Sequence, residues 1–238
     1  MSIGFKPLAL AALLLFMPGC ASAPARAPSA AAVLEASKAA SGGAAWDRIE
    51  GLTERGSHGG MPYRTWLDFR RQGMRMESGT SEAARVHGYN GEADWTARGA
   101  GPAAMSRDPA VLRETITTFY FSASGYFFPA RFPAATRYLR EEAEGGRRFD
   151  AIEVTPEGGR PVELWFDKAT HLLARIVDRT GTPPVTISAS DYRRAGGVLV
   201  AFGATVRAMD GTIVDEGRIE SVEFGPVDRR RFDPPPPR

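Results

Sequence analysis

Three histidines, at 58, 87 and 171, and one cysteine, at 20, make up the usual stock for metal binding and thiol chemistry in this chain. A zinc site needs three or four such ligands brought together, commonly with two histidines at helical spacing. No two of these histidines stand at that spacing, so a metal centre has no support. Nucleophilic serine chemistry would show as GxSxG, which is missing; Ser122 and Ser124 beside Gly125 read as small residues of a turn. The letters GAGPAA at 99–104 match GxGxxA, but they contain a proline and open no βαβ unit, so a dinucleotide site is not expected. Asp210-Gly211-Thr212 has the composition of an aspartic-protease triplet in the wrong order and reads as a hairpin turn. These residues point to a non-catalytic protein with no cofactor.

The cysteine has a different use. It follows a short cationic start (Lys6) and ten apolar residues, Leu8–Met17. That run is half of the roughly 20 residues a membrane-crossing helix needs, so residues 1–19 read as a cleaved signal. Gly19-Cys20 resembles a bacterial lipoprotein signal, which implies diacylation of Cys20 and a membrane attachment through acyl chains. Ala at 21, where inner-membrane retention would use Asp, implies the outer membrane of the cell envelope, facing the periplasm. An ordinary export signal cut after Ala23 or Ala25, with an incidental cysteine, is the other reading. Residues 20–31, rich in Ala, Pro and Ser, read as an extended tether, and 233–238 as a polyproline tail.

The remaining residues, 32–232, are enough for one sizeable core and contain no linker-like break. Thirty basic residues face 28 acidic ones, a formal charge of +2. The arginine pairs at 70–71, 147–148 and 193–194 and the run 229–231 are scattered among acids, without the basic stripe that nucleic acid requires. No nucleic-acid partner is expected.

Periodicity supplies the elements. Residues 31–41 read as a helix ended by Gly42-Gly43. Asp108 as N-cap, Pro109 at the first helical position and a 3, 4 spacing from Val111 to Tyr120 predict a second helix over 108–123. Elsewhere alternation dominates: Tyr63, Thr65, Leu67 and Phe69 share one strand face. After Pro133 the chain reads as an antiparallel meander with turns at Gly145-Gly146, Gly158-Gly159 and Asp167–Thr170. About 9–11 strands are expected, mostly antiparallel, forming a curved sheet or barrel, with Gly203 and Gly217 marking bulges or bends.

The stretch FYFSASGYFF (119–128) holds six aromatic residues in ten positions, against 23 in the whole chain. Three uses stand open: core packing, membrane contact, or the wall of an apolar pocket. Burial of each ring stabilises by roughly 1.5–3 kcal/mol, which suits the first. A curved sheet or barrel about ten strands wide encloses more space than its own side chains fill, which suits the third.

VELWFDKATHLLARI (162–176) and SDYRRAGGVLVAFGATV (190–206) resemble the outer-membrane lipoprotein carrier and receptor group. In that group a strand ending in hydrophobic-Asp, a turn with Thr and a strand opening on Leu recur in the middle of a half-open barrel. Leu164, Trp165, Phe166, Asp167, Thr170, Leu172 and Leu173 stand at those places. The resemblance implies a curved half-open β-barrel of about 9–11 strands around an apolar cavity for acyl chains, with helix 108–123 as its lid. Phe119, Tyr120, Phe121, Tyr126, Phe127 and Phe128, with Trp66, Trp95 and Trp165 from strands, are the expected lining. The expected function is binding of an apolar ligand, an acyl chain or lipid or lipoprotein. The alternative is an envelope-anchored interaction or sensor module with a filled core, which recognises a lipoprotein or another envelope protein partner or senses misfolded lipoproteins.

Overall fold

The computed structural model describes residues 27–80, 84–99 and 101–235. The signal, Cys20, the tether up to Arg26 and the last three residues of the tail lie outside them. The first helix, α1 (Ala30–Ser41), begins inside the stretch read as tether. The Ser29 hydroxyl accepts the Ala32 amide at 3.1 Å, and Gly42 closes the other end with φ at 143°. Ala30, Val33, Ser37 and Ser41 form its buried stripe, at the helical spacing of 3 and 4.

A 13-stranded, wholly antiparallel sheet carries the rest. The first six strands are β1 (Gly51–His58), β2 (Met61–Asp68), β3 (Gly73–Ser78), β4 (Arg85–Tyr89), β5 (Asp94–Arg98) and β6 (Ala104–Ser106). After helix α2 (Pro109–Ser122) come β7 (Ala134–Glu144), β8 (Arg147–Pro156), β9 (Val162–Asp167), β10 (Leu173–Asp178), β11 (Val185–Ala195), β12 (Val198–Ala208) and β13 (Ile213–Phe224). The spatial order is β6-β5-β4-β3-β2-β1-β13-β12-β11-β10-β9-β8-β7. Two meanders are thus joined by the pairing of β1 with β13, and the sheet stays open between β6 and β7. Both edges are protected from further pairing, β6 by its three residues and β7 by Arg137, Arg140, Glu141, Glu142 and Glu144.

This is the curved half-barrel expected, with two more strands than the upper count. The additions are β1 and β6. In GLTERGSH, Leu52 is the lone large apolar residue, so alternation gives no signal there. β6 is too short to show a period. The register shifts fall at Arg55/Gly56, Tyr138/Arg140, Leu173/Arg175 and Val206/Arg207. Gly203 and Gly217 are therefore not the bulge points; Gly217 serves a close approach described below.

Because β6 and β7 are consecutive in the chain yet lie at opposite edges, residues 107–133 must cross the open mouth of the half-barrel. Helix α2 does so. Asp108 caps it, Oδ1 accepting the amides of Ala110 at 2.7 Å and Val111 at 3.4 Å. Asp108→Ala is expected to cost about 0.5–2 kcal/mol of stability, read as a shift of the urea midpoint at constant m-value. An unchanged midpoint would show that the helix start is held by its packing alone.

The helices and the concave face share the main core, in which Leu52, Leu67, Phe69, Ile152, Val154, Leu164 and Phe166 meet Val33, Phe119 and Tyr120. Smaller clusters cover the convex face. Phe149, Ala151, Trp165 and Val177 form one; Val86, Trp95 and Ala97 form another. The third is a strap: the segment before the tail folds back so that Val227 and Phe232 cover Trp66.

Candidate functional site

Between the concave face and the helices lies a cavity of about 360 Å³. Its origin is a row of small side chains. Ala189 on β11 pairs with Ala204 on β12, Ala204 with Gly217 on β13, and Gly217 with His58 on β1. Alternation points this whole row to one face, and none of its first three members can reach the helices opposite. A Cβ at Gly217 would stand 2.9 Å from the His58 ring, so glycine is what lets the imidazole lie there. Around this row the wall is aliphatic and thioether: Leu67, Met74 and Met76 from β2 and β3, Leu173 and Ile176 from β10, and Val200 from β12.

The covering side is supplied by Thr118, Phe121 and Ser122 of α2, by Tyr126 and Phe127 just after it, and by Ser37 and Ser41 of α1. Burial raises the Tyr126 phenol to about 12. A second, more open depression of about 760 Å³ adjoins the cavity at the β3–β5 rim, where Met76 and His87 line both.

Few polar groups face this space. On β1 and β2 the Tyr63 hydroxyl donates to Glu54 at 2.5 Å, and the His58 ring stacks on Tyr63 with centroids 4.6 Å apart. His58 Nδ1 lies 3.0 Å from Asp215. Burial raises the Glu54 carboxyl, and the Tyr63 hydrogen bond and the His58 charge offset this incompletely. Farther along, His87 Nε2 meets Asp94 Oδ2 at 2.5 Å, and Thr115 of α2 donates to the same oxygen at 2.7 Å. No lysine or arginine lines the cavity among the described residues.

Asp94 ties α2 to the first meander. Burial pushes its carboxyl up, but the His87 and Thr115 hydrogen bonds outweigh that and hold it below the ordinary aspartate value of 3.8. A depressed carboxylate stabilises the fold fully above the unfolded-state pKa, and loses that contribution as pH falls through the folded-state value. Thr115→Val is therefore expected to lower stability most near neutral pH, with the difference from the parent shrinking as pH falls through the folded-state value. Urea unfolding at a series of pH values checks this, and a difference that stays constant or grows toward acid pH would contradict it.

The nine aromatic residues expected at the wall divide three ways. Phe121, Tyr126 and Phe127 line the cavity. Phe119, Tyr120 and Phe128 are packed into the core beside it: Phe119 edge-on to Phe132 at 5.3 Å, Tyr120 against Phe121 at 5.2 Å, and Phe128 edge-on to Phe69 at 5.5 Å. Trp66, Trp95 and Trp165 belong to the convex-face clusters. The reason is strand parity. Leu67, His87 and Leu164 face the concave side, so neighbours one residue removed from an inward position face out. Lipid attachment at Cys20 lies outside the described residues.

What the aromatic reading missed are the small residues, and their signal is in the sequence: Ala189, Ala204 and Gly217 interrupt strands otherwise rich in β-branched residues. The Asp167–Thr170 stretch proves to be a tight hairpin turn. Asp167 Oδ1 accepts the amides of Ala169 and Thr170 at 3.0 and 2.8 Å and the Thr170 hydroxyl at 3.1 Å. Arg147 holds the other oxygen at 2.9 Å. The turn places Leu172 and Leu173 at the cavity wall, while His171 is exposed in the turn with φ at 58°.

An open antiparallel sheet with helices laid across its concave face, enclosing an apolar cavity, is a half-barrel fold. It is the fold of the LolA superfamily. A LolA superfamily protein from Nitrosomonas europaea superposes with a TM-score of 0.55 at 11% identity, covering 87% of this chain and 98% of that one. A putative outer membrane lipoprotein-sorting protein domain from Vibrio parahaemolyticus gives 0.52 at 13% identity, over 86% and 96%. A DUF1329 family protein from Desulfovibrio piger gives 0.53 at 10% identity, over 86% and 97%. No family model and no curated protein matches the sequence. At these identities it is the fold that is shared.

Proposed function

We propose that this chain is an envelope protein that binds one apolar chain, an acyl group of a lipid or lipoprotein, by burial and without chemistry. The observation that carries this is the cavity of about 360 Å³, walled by aliphatic side chains and covered by the connection that crosses the open mouth. Its volume lies at the small end of the roughly 300–1,000 Å³ typical of ligand sites, which suits a single chain. Apolar burial is non-directional, so a wall with few polar groups suits a flexible ligand. The description of the Vibrio relative as a putative outer membrane lipoprotein-sorting protein domain supports the same reading. The segment 108–128 is the movable cover, and Cys20 is the site of acylation that tethers the domain to the outer membrane, facing the periplasm.

The test is native mass spectrometry with lipid extraction on the full chain carrying Cys20→Ser, purified without detergent. Co-purified acyl species are expected, and Ala204→Trp, which puts an indole into the cavity from the row of small residues, is expected to abolish them while the fold survives. A clean apo mass with no uptake of added lysolipid would overturn the reading. It would favour a domain that recognises an envelope protein through its surface.

A further inference from the structure

No lysine or arginine lines the cavity among the described residues, and Glu54, held by the Tyr63 hydroxyl, gives it a carboxylate. His58 and His87 face a carboxylate each, Asp215 and Asp94. An anionic head group is therefore unwelcome inside. The adjoining depression differs. Along the concave face of β3, β4 and β5, the rung Met74–Tyr89–Asp94 is followed by Met76–His87–Thr96 and then by Ser78–Arg85–Arg98. Alternation puts Arg85 and Arg98 on the same face as His87 and Thr96, one rung beyond the cavity. Both arginines are exposed and both line the open depression.

Arg85 and Arg98 are direct cross-strand partners. Like charges placed opposite one another on neighbouring strands destabilise a sheet. Two guanidinium forks at paired cross-strand positions lining one depression suit an oxyanion, which each can hold with paired N–H donors. Taken with an interior that no lysine or arginine lines among the described residues, the pair gives a bound amphiphile a direction.

We propose that Arg85 and Arg98 form a subsite for an anionic head group, a phosphate or carboxylate, on a ligand whose apolar chain lies in the cavity. This rests on the acyl-binding reading above. The head stays at the rim, over the depression, while Met76 and His87 line the passage between the two spaces.

Binding of myristoyl lysophosphatidate and of monomyristoylglycerol to the full chain, at low and high salt, tests this. At low salt the lysophosphatidate is expected to bind about tenfold tighter or better, a preference of ~1.4 kcal/mol, and salt is expected to narrow the gap. Arg85→Gln and Arg98→Gln should each remove most of the preference and leave the monoacylglycerol affinity unchanged. Because each also relieves a like-charge pair, neither should lower the melting temperature, an outcome a purely structural role would not give. Equal affinity for the two lipids, or substitutions that leave lysophosphatidate binding intact, would overturn the head-group subsite while the cavity reading stands. Displacement of lysophosphatidate by inorganic phosphate alone would reassign the pair as a free-anion site. Failure of both lipids to bind would overturn the subsite and the cavity reading together.

Discussion

Arg160→Met is expected to destabilise the fold by about 3 kcal/mol, the lower end of the cost of stripping one partner from a buried ionic group. Arg160 follows the β8–β9 turn, and its side chain is 10% exposed. Its guanidinium holds Glu114 of α2 through two bonds of 2.7 Å and grips the carboxylate of Asp178 at the end of β10. Its backbone amide donates to the Thr117 hydroxyl of α2 at 3.0 Å. Glu114 is half exposed and would rehydrate, but the Asp178 side chain is 14% exposed and would be left as a shielded charge without its cation. The loss comes mainly from that stranded carboxylate. The double substitution Arg160→Met, Asp178→Leu should recover most of the stability, because removing both charges removes the desolvation cost as well. Urea unfolding of the two variants decides it. A single substitution as stable as the parent would show that the network carries no net energy.

The same network bears on the cover. Glu114, Thr115 and Thr117 lie within one turn of α2. They fasten it to both halves of the half-barrel, through Asp94 on one side and Arg160 on the other. Loss of Arg160 should therefore loosen the second-meander side first. Faster hydrogen exchange of α2 amides, with β11 and β12 unchanged, is the expected pattern.

Phe232→Ala should cost about 3–5 kcal/mol, the range for a fully buried ring. Phe232 is 1% exposed in the strap that follows β13, and it packs with Trp66 and Val227. Gly73 has no side chain to interfere; a Cβ there would come within 2.7 Å of the ring. The Phe232 carbonyl also accepts the Trp95 indole N–H at 2.8 Å, and the Arg231 carbonyl accepts Arg75 at 3.2 Å. Arg64 and Arg231 both lie over Trp66, each 4.5 Å from its ring. The strap thus seals the convex face of β2–β5, and its loss should expose two tryptophans and red-shift their emission. The acyl binding proposed above, under conditions where the variant stays folded, should not change, since nothing in the strap lines the cavity. A loss of uptake at full folding would contradict that separation of the two faces.

Much of this fold is legible in the residue order. Asp108-Pro109 announces α2, alternation announces eleven of the strands, and the Asp167–Thr170 turn sits where its side-chain hydrogen bonds require. β1 was hidden because Gly51, Gly56 and a run of polar residues erase its period, and its pairing with β13 settles its place. The tail was legible as polyproline, but the strap just before it was not: Phe232 is a single aromatic among arginines until Gly73 receives it.

The sequence by itself determined the elements and the character of the molecule: a curved antiparallel sheet with two helices, and a concentration of aromatic residues at 119–128. These follow from local sterics and short-range periodicity, which act between residues a few positions apart. Tertiary structure alone decided which face of each strand turns inward, and so sent Trp66, Trp95 and Trp165 outward and left Phe121, Tyr126 and Phe127 at a cavity. It also aligned Ala189, Ala204, Gly217 and His58 into one row, from four strands spread over more than half the chain. A strand's alternation is symmetric between its two faces, so it says that sides differ without saying which is enclosed. Curvature and the closing of β1 against β13 break that symmetry, and an unfilled space exists once the small residues of distant strands fall side by side.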